Sequence, residues 1–363
     1  MWEVNNQTPY AVGKTWVRDK DGSEVWIVAV KVTYDLVREP GQTKDQATAR
    51  LAKVQLPINN GPVPYADSPS LQYETDLGPP KPATDVWLCG QAHSPDGQPV
   101  SELAVGWQLQ WQGGLMQRFA AVRGHRHRKS NSFGVASTSS PEPFVSLPLR
   151  WEYTWGIDAD ENKGLSGTTD ALHHNPLGCG VLADAQGQVR LPNVESLHRP
   201  GTPMGFGPLP SHWPTRRQYA GTYDATWLAT RHPLLPQDFD VRHHQAAPPE
   251  QQVLGHLKGG EAVVLVHLVP HTFGCGDRLA FHLPKMTLGF ETHFFDGSTQ
   301  TSRSVIHNVI FEPDFPRVSI VHHMHLPCHA KVNQLKQTIV REKSRPLDKP
   351  TEPIDAKAWN LGT

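Results

Sequence analysis

The sequence predicts a mainly β protein. Antiparallel, sandwich-like sheets fall in two β-rich portions, which flank a long irregular proline and aromatic segment with one short helix. Three observations lead there. Val105, Trp107, Leu109 and Trp111 alternate with Gly106, Gln108, Gln110 and Gln112, the period-two pattern of a half-buried antiparallel strand. The run EVWIVAVKVTYDL, 24–36, is rich in β-branched and aromatic residues and follows Asp21-Gly22, a strong hairpin turn signal. Nine prolines fall between Pro200 and Pro249, where regular helix or sheet cannot continue because each proline lacks an N–H and fixes φ.

In chain order, Trp16 to Leu36 reads as a hairpin. Trp26, Val28, Val30, Val32 and Tyr34 share one face of its second arm. Val25, Ile27 and Ala29 share the other face, followed by Lys31, Thr33 and Asp35, so this central strand is expected to be buried on both sides at its start and on one side at its end. ARLAKVQLP reads as a short strand, INNGPVPYADSPS as a loop, and Thr84 to Ala92 as a strand that Pro79, Pro80 and Pro82 isolate from what precedes it. Gly113-Gly114 turns the Val105–Gln112 strand into a second arm, LMQRFAAVRG. Lys129 to Pro143 is a serine-rich exposed loop, and 158–180 is polar, glycine-rich surface loop. Asp224 to Arg231 fits one or two helical turns that Pro233 ends. Beyond it lie four strands: GHLKGGEAVVLVHLVP, DRLAFHLPKMTLGF, SRSVIHNVIFEPD and PRVSIVHHMHL. The expected divisions are an N-terminal β-rich portion (1–145), the irregular segment (146–252), a C-terminal β-rich portion (253–330) and an extended tail (331–363). A single composite domain is an open alternative.

Composition excludes several function classes. The chain has 363 residues, with 34 Lys plus Arg against 35 Asp plus Glu, so no general nucleic-acid surface is expected. Its four cysteines, at 89, 179, 275 and 328, form no CxxC pair, which fits a reducing compartment. No leader pattern and no apolar run of ~20 residues is visible, so the expectation is a soluble cytoplasmic protein without a membrane partner. No GxSxG, P-loop, HExxH or GxGxxG element occurs.

The stretch FGPLPSHWPTRRQYAGTYDATWLATRHPLLPQDFDVRHHQAAPPEQQVLGHLKGGE, and within it AGTYDATWLATRHPLLPQDFD (220–240), resembles the signature of a bacterial family known as a domain of unknown function (family number 2169). The resemblance extends from about Asn5 to Pro313. It implies a non-catalytic adaptor or chaperone, encoded beside type VI secretion genes. Such a protein binds an effector toxin and loads it onto the secretion spike, whose tip proteins include the PAAR and VgrG families. No cofactor is implied. His243 and His244 depart from the family pattern, which more often has aromatic residues there.

Read for chemistry, the segment offers two surfaces. Tyr219, Tyr223 and Trp227, at four-residue spacing, suit one side of a short helix packed on a sheet; core is the favoured reading for Tyr223 and Trp227. Trp213, Arg216, Arg217, Tyr219, Asp238 and Asp240 are the candidate partner-binding residues, since Trp, Tyr and Arg concentrate at binding hot spots. The alternative is a metal-dependent hydrolase built on Asp238, Asp240, His243 and His244. Against it stands the commoner role of such carboxylates, which is to accept loop N–H groups or an arginine. Twenty histidines are unusual. His323 and His325 lie two apart on one strand face and form a plausible zinc pair with Cys328 or His329 nearby, but the sequence places no third ligand, so solvated or hydrogen-bonded histidines are favoured and no metal is expected. HRHRK, His125 to Lys129, reads as a solvated basic loop in preference to a phosphate site. Eleven tryptophans admit a carbohydrate-binding module, although most occupy alternating strand positions that point to core.

Overall fold

The computed structural model describes residues 2–130, 136–156, 175–180, 183–199, 202–328, 332–343 and 354. The chain is mainly β and its strand pairs are mostly antiparallel. A seven-stranded sheet lies at the centre, in the order Gln252–Leu254, Ala83–Leu88, Val305–Glu312, Arg317–Pro327, Glu24–Val37, with Ala11–Arg18 and Thr48–Leu51 both bordering Glu24–Val37. Ala83–Leu88 and Val305–Glu312 run parallel, and the other pairs run antiparallel. This sheet takes strands from both β-rich portions of the sequence.

Two smaller sheets cover one face of it. One is five-stranded: Val194–Ser196, Gly114–Arg123, Glu102–Trp111, Ala262–Val266 and Arg278–His282. The other joins Glu3–Asn6, Leu335–Glu342, Leu288–Phe294 and Thr299–Arg303. Alternation places Val105, Trp107 and Leu109 in the interior, and Trp107 meets Phe311 of the central sheet edge-on at 5.6 Å. Trp26, on the core face of Glu24–Val37, buries its ring and donates Nε1–H to Thr338 Oγ1 at 3.0 Å, joining the third sheet to the first.

The second face of the central sheet is also covered, by the irregular residues 52–82 and by the proline-rich segment. Lys31 and Thr33 are therefore buried, against the expectation that the far end of that strand would be open on one side. The reason is a partner remote in sequence: the Lys31 ammonium pairs with the buried Asp76 carboxylate at 2.9 Å.

Three further expectations are corrected. The extended tail does not begin at 331, because Leu335–Glu342 is a strand between Glu3–Asn6 and Leu288–Phe294; its alternation is short and one of its partners lies at the other end of the chain. DRLAFHLPKMTLGF is two strands of different sheets, separated by Leu283–Thr287. The serine-rich loop includes an edge ribbon, in which Arg128–Ser130 pairs with Ala136–Thr138; backbone bonds form it without an apolar pattern to announce it. Most of the expected 158–180 surface loop lies outside the described residues. Its described end holds the fully buried Asn175, whose amide donates to Trp151 O, Thr154 Oγ1 and Trp155 O.

Candidate functional site

The segment from 202 to 252 has few backbone ladders and takes its place through side chains. Pro214 opens a one-turn helix, Pro214–Arg217, at a position where its missing N–H costs nothing. That turn drives two large groups inward. Trp213 meets Trp151 edge-on at 5.5 Å, and Arg216 donates to Glu74 Oε2 at 2.6 Å, Leu209 O at 2.7 Å and His243 O at 3.0 Å. Further along, Gln245 Nε2 and the Ala246 N–H both donate to the Asp85 carboxylate of the central sheet, at 2.6 and 2.7 Å. Asp85 also takes the buried Lys81 ammonium at 2.5 Å, and Lys81 reaches Asn308 Oδ1 at 2.6 Å. Trp213 and Arg216, 2 % and 6 % exposed, thus clamp the segment and present no surface to a partner in this state.

The remaining candidates lie outward. Arg217 is exposed, and Tyr219 is partly covered by the Arg242 guanidinium stacked over its ring at 4.4 Å. Asp238 accepts from the Thr222 N–H and hydroxyl, and these bonds hold its carboxyl below the usual range. Asp240 caps the 3-10 turn Val241–His244 through the Arg242 N–H and pairs with the Arg242 guanidinium at 2.6 Å, which lowers its pKa as well. His243 Nδ1 lies 3.0 Å from Arg216 O, and His244 packs against Phe239. Burial is the main reason the His244 pKa is pushed down to about 4, with His243, Arg216 and Lys81 adding to it. Both carboxylates are committed to local capping, and Asp238, Asp240, His243 and His244 do not bring their ligand atoms to one point.

Asp224 caps the helix Ala225–Thr230 by accepting from the Trp227 N–H at 2.8 Å. That helix buries no residue. Tyr223 is 53 % exposed and Leu228 63 %, so the core reading of Tyr223 and Trp227 is corrected: the two rings pack on each other at 4.8 Å, on the outer side of the molecule. The helix begins only at Ala225, so Tyr219 and Tyr223 never share a helical face with Trp227. A cleft of about 690 Å³ lies beside the segment, lined by Arg118, Trp151, His198, Met204 and Glu250 among others. The basic His125–Lys129 run is not solvated loop throughout: Arg126 donates to Glu195 and to Pro192 O, and His127–Ser130 is strand.

The zinc pair also finds its place. His323 and His325 share the face of the central sheet that the segment covers. Cys328 lies away from them, buried with Leu326 and Val332, and His329 lies outside the described residues. The histidine that sequence reasoning missed is His307. Among the described residues, His307, His323 and His325 form a group whose ligand atoms all lie within 4.8 Å of one another. Its signal was the adjacent polar pair His307-Asn308 inside the apolar run VIHNVIF, which breaks the alternation. Glu74 and Asp85, the acidic partners beneath the segment, and Asp76, the partner of Lys31, carried no local pattern.

Among the described residues, no helix is long and apolar enough to cross a membrane. No curated protein and no solved structure matches the chain. A family model does match, over residues 21–323, described as an uncharacterized protein conserved in bacteria (DUF2169). That span is most of the chain and contains the clamped segment together with most of the sheet it sits on; the chain belongs to this bacterial family.

Proposed function

We propose that this chain is a non-catalytic, cytoplasmic adaptor that binds a type VI secretion effector toxin and helps seat it on a spike protein of the PAAR or VgrG type. Family resemblance supplies the cellular context. The supporting observation is the clamped segment. Buried contacts of Trp213, Arg216, Gln245 and Ala246 fix its inner side, and the fixed backbone then holds Tyr223, Leu228 and the nearby Arg217 outward. A rigid display of aromatic, aliphatic and arginine side chains binds a partner with little ordering cost. Polar edge strands such as Thr299–Arg303 offer a second mode, the addition of an extended partner strand.

The test is co-expression with the effector and the spike-tip protein encoded beside the gene, followed by size-exclusion chromatography. The full chain co-elutes with at least one of them, and a Tyr223→Ala/Leu228→Asp variant loses that co-elution while keeping its own elution volume and circular dichroism. Failure of the full chain to hold either protein refutes the reading.

A further inference from the structure

We infer that His307, His323 and His325 form a binding site for one divalent transition-metal ion of the zinc class, set between two strands of the central sheet. This goes beyond the adaptor reading and does not depend on it.

Register brings the three rings together. His323 and His325 are two apart on Arg317–Pro327 and project from the same face. On the neighbouring strand, Val305 opposes His323 and Ile306 opposes His322; then the register shifts, so that Asn308 opposes Val321. His307 is the extra residue of this bulge. A bulge turns two successive side chains to one side, which lets Asn308 keep its bond to Lys81 while His307 lies over His323, ring centroids 3.7 Å apart. The centroids of His307 and His323 lie 5.6 and 5.4 Å from that of His325.

The donor chemistry suits the ion. His323 Nε2 lies 2.6 Å from the Asp76 carbonyl oxygen. A carbonyl accepts only, so Nε2 carries the proton and Nδ1 presents a lone pair. This is the arrangement in which an outer carbonyl orients a metal-binding imidazole. Asp76 is itself held by Lys31 and the Asn59 N–H. His323 Nδ1 lies 3.3 Å from His325 Nε2. That is long for a hydrogen bond, and it matches the roughly 3.3 Å between two nitrogens bound tetrahedrally at about 2.05 Å from zinc.

His307 supplies the independent observation. It is 3 % exposed, and neither of its ring nitrogens has a hydrogen-bond partner among the described residues. Leaving a buried imidazole unsatisfied costs free energy that a metal bond would recover. Stacked rings at an 11° interplanar angle cannot both aim lone pairs at one ion, so His307 turns out of the stack on binding and breaks no hydrogen bond in doing so. The nearby Lys81 charge is already matched by Asp85. The half-buried edge of His325 is the entry side, and three protein ligands leave a fourth position open to water.

The experiment titrates the full chain, stripped with chelator, with Zn²⁺ by calorimetry and with Co²⁺ by visible absorption. One ion binds per chain, Co²⁺ gives the intense bands of a tetrahedral site, and Zn²⁺ raises the thermal midpoint. His307→Leu, which fills the space with an apolar group, and His325→Ala, at the accessible rim, each weaken binding at least about 100-fold and abolish the midpoint shift. His212→Ala, a surface control, changes neither. Absence of a one-to-one tetrahedral Co²⁺ signal overturns the inference, as does binding that His325→Ala leaves intact.

Discussion

Arg216 is the point at which the irregular segment can be released without touching its outer surface. Replacing it with methionine keeps most of the side-chain volume and removes the guanidinium. Glu74, of which 9 % is exposed, then loses its charged partner, and Leu209 O and His243 O lose theirs. Breaking a buried pair from one side costs about 3–5 kcal/mol, because a charge stays buried without compensation. The two carbonyls add about 1–3 kcal/mol each if water does not reach them. These terms do not sum, since Glu74 still accepts from the Thr75 N–H. The expected loss for Arg216→Met is therefore about 3–5 kcal/mol in urea unfolding, with hydrogen exchange accelerating first over 209–246. Arg216→Met/Glu74→Leu removes both charges and recovers at least about 1 kcal/mol. A loss below about 1 kcal/mol for the single variant, or a double variant as unstable as the single, refutes the claim that this pair clamps the segment.

Other outcomes follow from the same contacts. Asp85→Asn strands the Lys81 ammonium, whose pKa burial already pushes down; the folded state then binds fewer protons than the unfolded one, so a deficit of about 3–5 kcal/mol at pH 7 shrinks as pH rises toward 10, read by urea unfolding at several pH values. His244, held near 4 against an ordinary value of 6.5, favours the folded state above the unfolded pKa and loses that contribution as pH falls from 6.5 to 4; His244→Phe therefore retains up to about 3 kcal/mol more stability than the native chain across that interval. Gly106→Ala puts a Cβ 2.1 Å from Arg118 O and 2.4 Å from the Phe119 ring, a clash only the backbone can relieve, and lowers stability by about 1–3 kcal/mol or more. Tyr223→Ala/Leu228→Asp, by contrast, shifts the unfolding midpoint by no more than about 0.5 kcal/mol allows, since neither side chain is buried.

Local pattern was legible where the fold is local. The Asp21-Gly22 hairpin, the Val105–Gln112 strand and the Asp224-capped helix all stand where residue spacing puts them, because each is decided by neighbours within a few positions, although Gly106 and Gln108 on the strand's expected open face are buried. Two of the errors share one cause. Lys31 looked solvent-facing until Asp76 was placed on it, and Leu335–Glu342 looked like tail until Glu3–Asn6 and Leu288–Phe294 were placed beside it. Both depend on contacts far apart in sequence, about which composition and periodicity are silent. The candidate residues divide in the same way. An aromatic and arginine cluster reads alike whether it faces out or in, and only the partners decide: Glu74 and Trp151 draw Arg216 and Trp213 inward, while Tyr223 packs on Trp227 and stays half exposed. His307 depends on a one-residue bulge, which the sequence marks by a break in alternation but whose effect on the face His307 joins only the register decides.

Charge placement also explains how a segment without ladders acquires one definite seat. A strand is registered by its backbone bonds, and a shift by one residue exposes its whole apolar face. Residues 202–251 have almost no such ladder, and the large apolar side chains they bury, Met204, Phe206, Leu209, Trp213 and Phe239, are scattered along the segment without a strand's period. What fixes them is a small set of buried acceptors that tolerate no slippage. Asp85 takes Gln245, the Ala246 N–H and Lys81 together, and Glu74 takes Arg216. Moving the segment by one residue would leave at least two buried charges unmatched, at several kcal/mol each, whereas an apolar bed would accept many positions at similar energy. The polar layer therefore sets position more than it adds stability. The proposed adaptor role draws on this: the carboxylates under the segment fix the backbone from which Tyr223 and Leu228 project.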